Sequence, residues 1–263
     1  MQISGKTALL TGATGGIGQA IARALHGRGA NLILSGRRVD VLEPLAEQLG
    51  AKALAVDLAS PAEIERMLAE AGEIDILVAN AALPASGQLD SFSLEQLDRA
   101  LDVNLRAPIV MAHALVPKMV SRGEGHLLFM SSQAGKAATP GSSLYTATKF
   151  GLRGFAASLR ADLHGTGVGV STVFPGFIRD AGMFAEAEVK LPPGVGTRTP
   201  EDVANATVKA IERNRGEVDV APPHFVATAA FASLAPDLAS RITRRIGGEQ
   251  IARDMAEGQQ HKR

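Results

Sequence analysis

Short apolar runs alternate with longer amphipathic ones along most of this 263-residue chain, and that alternation narrows the available folds more than any single residue does. Thr7–Leu10, Asn31–Leu34, Ala53–Val56, Ile74–Val78, His126–Met130, Gly169–Phe174 and Glu217–Val220 have the length and residue types of strands. Helical patterns fill residues 17–28, 39–49, 61–71, 93–120, 144–164 and 200–213 between them. Repeated strand–helix–strand units make neighbouring strands parallel, because each crossover returns the chain to the same end of the sheet. Parallel strands are buried on both faces, and an apolar content of 46% suffices to cover them. An α/β chain is therefore predicted, with a doubly wound parallel sheet of about seven strands flanked by helices. Ser60-Pro61-Ala62-Glu63 and Thr199-Pro200-Glu201-Asp202 read as helix starts, each with a capping hydroxyl, a proline at the first helical position and acids in the first turn.

The first strand runs straight into Thr11-Gly12-Ala13-Thr14-Gly15-Gly16-Ile17-Gly18, and the helical pattern from Gln19 to His26 follows. Glycines at that junction let the backbone approach a pyrophosphate, and the helix start offers free N–H groups and a positive dipole end. Taken alone, such a loop also serves plain chain reversal. Tyr145 gives it a chemical companion. It is the single tyrosine in a chain with 4% aromatic residues, and Lys149 follows it four positions on. Residues i and i+4 of a helix share a face, so the ammonium is expected beneath the phenol, where it would pull the phenol pKa toward the working pH. The bland alternatives are a half-buried tyrosine and a solvated lysine.

With these two motifs the chain resembles the short-chain dehydrogenase/reductase family, whose marks are Thr-Gly-x-x-x-Gly-x-Gly near the start and Tyr-x-x-x-Lys mid-chain. They appear here as Thr11/Gly12/Gly16/Gly18 and Tyr145/Lys149, and the resemblance covers about residues 3 to 220. It implies a Rossmann-type fold and hydride exchange between a nicotinamide cofactor and a carbonyl or alcohol, with Tyr145 as general acid/base. It further implies that Lys149 stabilises the phenolate and holds the nicotinamide ribose. Ser132, thirteen residues before Tyr145, is the expected partner of the substrate oxygen, and its bland reading is a turn cap. Asn104 matches the family's asparagine that kinks a helix and holds a water near the lysine; otherwise it is a polar helix-face residue.

Cofactor choice should be set at the end of the second strand, where an acid selects NAD and an arginine accommodates the 2′-phosphate of NADP. The chain reads Leu34-Ser35-Gly36-Arg37-Arg38 there, with no acid before Asp40. This favours NADP(H) over NAD(H), chiefly through Arg37, unless both arginines are surface charges. Asp57, followed by Leu58, matches the family's acid at the adenine edge, with turn capping as its alternative. The family's Asn-Asn-Ala-Gly stands here as Ala79-Asn80-Ala81-Ala82, which restricts the backbone at Ala82. Its Pro-Gly is kept as Pro175-Gly176, and Ile178 could serve the carboxamide through its backbone. The remaining cofactor contacts are assigned to Gly12, Thr14, Gly16, Ile17, Gly18, Asn80 and Ala81.

Residues 1–222 are read as one catalytic domain, with a lid at 176–198, and residues 223–263 as a helical extension packed on that domain. The lid carries Phe177, Met183, Phe184, Val189, Leu191 and Val195, which fits a small hydrophobic carbonyl or alcohol substrate, or simple packing of the loop. Continuation of the chain through 223–263 counts against a 3-oxoacyl substrate. Near-helical Leu234, Leu238, Ile242 and Ile246, with Arg241, Arg244 and Arg245, would dock on the substrate entrance, a second subunit or, less favoured, an anionic membrane, the bland reading being a helix packed on its own domain with solvated arginines. A homodimer or homotetramer is expected through the long helices, with the dimer preferred.

A formal net charge of zero argues against nucleic-acid binding. With no cysteine there is neither a disulfide nor a catalytic thiol. The six histidines form no close pair, so no catalytic metal is expected. Neither a leader nor a membrane span is read from the sequence, and a cytoplasmic location is expected. The alternatives to an NADP(H)-dependent reductase are an NAD-linked hydroxysteroid-type dehydrogenase and a nucleotide-binding regulator without turnover.

Overall fold

The computed structural model describes residues 1–187, 195–245 and 257–258. Its elements run β1 (Thr7–Thr11), α1 (Gly16–His26), β2 (Asn31–Gly36), α2 (Val39–Gln48), β3 (Lys52–Ala55), α3 (Pro61–Ala71) and β4 (Ile76–Ala79). Then follow α4 (Leu94–Leu101), α5 (Ala107–Arg122), β5 (Gly125–Met130), α6 (Ser143–Asp162), β6 (Val168–Pro175), α7 (Gly182–Glu186), α8 (Pro200–Glu212), β7 (Glu217–Val220), α9 (Pro223–Leu234) and α10 (Pro236–Arg245). The seven strands form one parallel sheet in the order β3-β2-β1-β4-β5-β6-β7. Leu9 lies in register with Ile33 on one side and Leu77 on the other, which fixes the centre of the sheet.

The two faces of the sheet have separate cores. Helices α1, α2 and α8 cover one through Ile21, Leu42 and Val208. Helices α3, α5 and α6 cover the other through Ile64, Met111 and Leu152. Residues such as Leu9, Leu10, Leu127 and Leu128 are wholly buried, so consecutive strand side chains face opposite cores and both are apolar. That is why the strands read as unbroken apolar runs. Both predicted helix starts are present. The Ser60 hydroxyl accepts the Glu63 N–H, and Thr199 with Asp202 forms a reciprocal capping box, each cap contributing about 1 kcal/mol.

One helical prediction is corrected in detail. The periodic stretch 93–120 is broken by a π-helical turn at Asp102–Arg106, which separates α4 from α5 and contains Asn104. A π turn inserts one residue without disturbing the apolar period on either side, so the pattern gave no sign of it. In the lid region the described residues hold α7 and a neck where Ile178 bridges Arg198. Asp180 and Gly182 in that neck both take positive φ, at 69° and 82°. Val189 and Leu191 lie outside the described residues, as do the side chains of Ile242, Arg244, Arg245 and Ile246. The apolar helix α9 packs against the lid residue Phe177, with the Phe225 ring centroid 5.4 Å from it.

Candidate active site

Strand order reverses between β1 and β4, and the carboxyl ends of the strands open there into a cleft of about 660 Å³. Every site residue assigned from the sequence lines this cleft except Asn104. They arrive from the ends of β1, β2, β3, β4, β5 and β6 and from α6.

The floor is the glycine loop. Gly12 has φ of 67°, and a side chain on it would put Cβ 2.7 Å from the Ala81 backbone. At Gly18 a Cβ would lie 2.1 Å from the Gly12 carbonyl oxygen. Neither position admits another residue without moving backbone, so the loop stays thin and close to whatever lies above it. Asn80 stitches the loop to β4, its side-chain amide donating to the carbonyls of Thr11 and Gly12 at 3.1 and 3.3 Å. The Thr11 hydroxyl in turn accepts the N–H groups of Asn80 and Ala81. No side chain caps the start of α1, so its first N–H groups face the cleft unclaimed. Thin backbone, uncapped helix start and cationic rim together fit a dinucleotide diphosphate.

At the rim the two arginines divide. Arg38 donates to the Thr14 carbonyl and so braces the glycine loop. Arg37 is exposed beside the cleft, and its charge acts on Asp57. Burial pushes the Asp57 carboxyl up, but Arg99, hydrogen-bonded at 2.8 Å, together with the Ala59 N–H, holds it below the usual range. Asp57 thus caps its turn, as its bland reading had it, while still lining the cleft. Arg99 is a partner that the sequence reading missed.

The opposite wall carries Ser132, Tyr145 and Lys149. The Ser132 hydroxyl accepts the Ala134 N–H at 3.2 Å, and Ser132 lines the cleft beside the Tyr145 phenol, whose ionisation it favours. The Lys149 side chain is 2% exposed, and its ammonium donates to the Met130 carbonyl at 2.9 Å. It stands 5.6 Å from the centre of the Tyr145 ring, and the expectation of a depressed phenol pKa is corrected by this arrangement. Burial pushes Tyr145 up to about 12, against a downward pull from Ser132, and burial pushes Lys149 down to about 8. The half-buried ring packs against the cluster of Ala85, Phe92, Ala100 and Leu144, and such apolar surroundings penalise a phenolate.

Asn104 sits behind the cleft wall and is wholly buried. Its amide accepts the Leu83 N–H at 2.6 Å and donates to the Leu83 carbonyl at 2.9 Å. The side chain thus pins the cleft wall at Leu83 and is not on a solvated helix face. Elsewhere, His126 is buried, hydrogen-bonded to Ser171 and held near 3 by burial, while His113 and His164 are exposed. Among the described residues there is no cluster of metal-ligating side chains and no helix long and apolar enough to cross a membrane.

Comparison with known proteins decides the family: residues 6–191 match the short chain dehydrogenases. The chain belongs to that family. As a short-chain dehydrogenase it is an NAD(P)-dependent oxidoreductase acting between CH–OH and C=O groups. It is 35% identical over 227 residues to the ketoacyl reductase HetN of Nostoc sp., spanning 83% of this chain and 79% of that protein. Among solved structures, a Sphingobium yanoikuyae short-chain dehydrogenase in complex with NADPH superposes with a TM-score of 0.75 at 29% identity, covering 88% of this chain and 96% of the other. The 3-ketoacyl-(acyl-carrier-protein) reductase of Brucella melitensis, complexed with NADH, gives 0.74 at 25% identity over 83% of this chain and 97% of its own.

Proposed function

We propose that this short-chain dehydrogenase transfers hydride between NADP(H) and a hydrophobic carbonyl or secondary alcohol, with Tyr145 as the general acid/base. The observation that carries this reading is one cleft lined by the glycine loop, Arg37, Ser132, Tyr145 and Lys149. Bound there, the nicotinamide would supply or take up the hydride. Gly12, Gly16 and the start of α1 would hold the diphosphate, and Asp57 with Leu58 would border the adenine. Ser132 would hold the substrate oxygen beside the phenol. A neutral phenol is the form that protonates an oxygen gaining charge, and an alkoxide is a far stronger base than a phenolate. The raised pKa of Tyr145 is therefore no obstacle to reduction, whereas oxidation needs the phenolate and is favoured by alkaline pH.

NADP(H) is favoured because the end of β2 carries Ser35, Gly36 and Arg37 in the cleft and no carboxylate. Arg37→Ala is expected to weaken NADPH by about tenfold or more and NADH by about twofold or less. Fluorescence titration of both cofactors checks this, and equal losses would remove the 2′-phosphate from Arg37.

Met183 and Phe184 line the substrate side, and Phe184 stacks on Phe177 at 5.0 Å. That apolar wall supports a hydrophobic substrate. The names of the relatives bring a 3-oxoacyl thioester forward as one member of this class, against the earlier weight given to the extended tail. The test is nicotinamide absorbance over hydrophobic ketones, aldehydes and a 3-oxoacyl thioester, with NADPH and NADH. Turnover of any of them supports the reading; tight cofactor binding without turnover on the whole panel sinks it.

A further inference from the structure

Ser132 stands on a tight turn whose long side chains do not point into the cleft. They point away from it, into a polar network behind the wall. The turn is one block: Gly135 N–H donates to the Ser132 carbonyl at 2.8 Å, and the N–H groups of Lys136 and Ala137 donate to Gln133 at 2.9 and 3.0 Å. Gln133, 5% exposed, donates to the Phe174 carbonyl on β6 at 3.0 Å and to Asp219 on β7 at 2.7 Å. The Lys136 ammonium bonds both Asp219 oxygens, at 2.9 and 3.0 Å, and meets Glu217 at 3.1 Å. It also rides 4.0 Å above the Phe174 ring.

The far end of this network returns to the catalytic helix. Glu217 and Asp219 alternate on β7 and so share one face of the strand. Arg153 donates to Glu217 through Nε at 2.7 Å and Nη2 at 3.3 Å. Arg153 lies on α6 one turn beyond Lys149 and two beyond Tyr145, on the same helix face. Outside, the Ser233 hydroxyl of α9 donates to the Lys136 carbonyl at 2.6 Å. The edge strand thus anchors the turn of Ser132 with one pair of charges and the helix of Tyr145 with another.

We propose that Lys136 is a positioning residue: through Asp219 and Glu217 it fixes the Ser132 turn relative to α6, and with it the placement of Ser132 beside Tyr145 in the cleft. The catalytic meaning of that placement rests on the function proposed above; the placement itself does not. Two cations face two carboxylates with side-chain exposures from 12% to 37%, and such partly exposed networks contribute little net stability. Its loss should accordingly register in geometry before it registers in folding.

The composition supplies a clean reporter. With one tyrosine and no tryptophan, a ring-labelled tyrosine gives a single magnetic-resonance signal that belongs to Tyr145. Ser132→Ala defines the signal with the neighbouring hydroxyl lost. Lys136→Met is expected to move it at least about half of that way, with unchanged circular dichroism, while Lys136→Arg returns it toward wild type. In turnover, Lys136→Met should lower kcat by about tenfold and leave NADPH affinity within about twofold. Should Lys136→Met fail to fold, Asp219→Asn removes the charge while preserving the shape of the network and is read in the same way. A Tyr145 signal unmoved in a folded variant overturns the proposal, as does an equal loss in NADPH affinity and kcat. A wild-type protein without turnover would sink the reductase reading and leave the brace to be decided by the resonance alone.

Discussion

Replacing Tyr145 by phenylalanine is expected to lower turnover by about a thousandfold while leaving NADPH affinity within about twofold. The substitution removes one oxygen from a ring otherwise packed on Ala85, Phe92, Ala100 and Leu144, so the cleft keeps its shape. What disappears is the hydroxyl to which the proposed function assigns the proton transfer. The wild-type pH profile sharpens the expectation. Because burial pushes the phenol up to about 12, oxidation should still be rising across the alkaline range, while reduction stays level over the same interval. Initial rates in both directions check this. A phenylalanine variant with more than about a tenth of wild-type rate would remove Tyr145 from the chemistry.

Lys149→Met is expected to abolish most activity and yet make the protein harder to unfold. The lysine is 2% exposed, and burial holds it near 8 instead of its ordinary 10.5. Keeping it charged in the fold costs about 3 kcal/mol at neutral pH, its surroundings included. A methionine of similar shape avoids that cost but leaves the Met130 carbonyl without its donor, at about 1 kcal/mol, so a gain of about 2 kcal/mol is expected. The gain must depend on pH in one direction. Between 8 and 10.5 the unfolded wild type holds more protons at this lysine than the folded protein does, so wild-type stability climbs and the advantage of the variant shrinks. Tyr145 acts oppositely: its neutral form is favoured by folding, so wild-type stability falls as pH passes from 10 toward 12. Denaturant melts of both proteins across pH 7 to 10 measure the first effect. A difference that does not change with pH would mean that Lys149 ionises at its ordinary value.

The sheet was legible because strands buried on both faces must be apolar throughout, as Leu9 and Leu10 are. The cleft was legible because its chemistry needs unusual residues: glycines where Cβ would meet backbone, and a lone tyrosine one helical turn from a lysine. What escaped depends on contacts distant in sequence. The phenol pKa is raised by burial, and the cluster the ring packs against includes Ala85 and Phe92, far upstream of Tyr145. Lys136 and Asp219 are 83 residues apart, and neither carries a local signal of the other. The break at Asn104 was expected from the resemblance alone, through the asparagine that kinks a helix; the apolar periodicity of 93–120 did not show it.

Six strands deliver their carboxyl ends to one cleft, and this ties the chemistry to the chain's history. A parallel sheet closes only after long crossovers have been threaded, which makes such pairing slow beside helix formation. No segment short of β6 brings Gly12 and Gly176 to the same place. The cleft is therefore complete only when that sixth strand has docked, and activity recovered on refolding is expected to report that docking and not the earlier formation of helices.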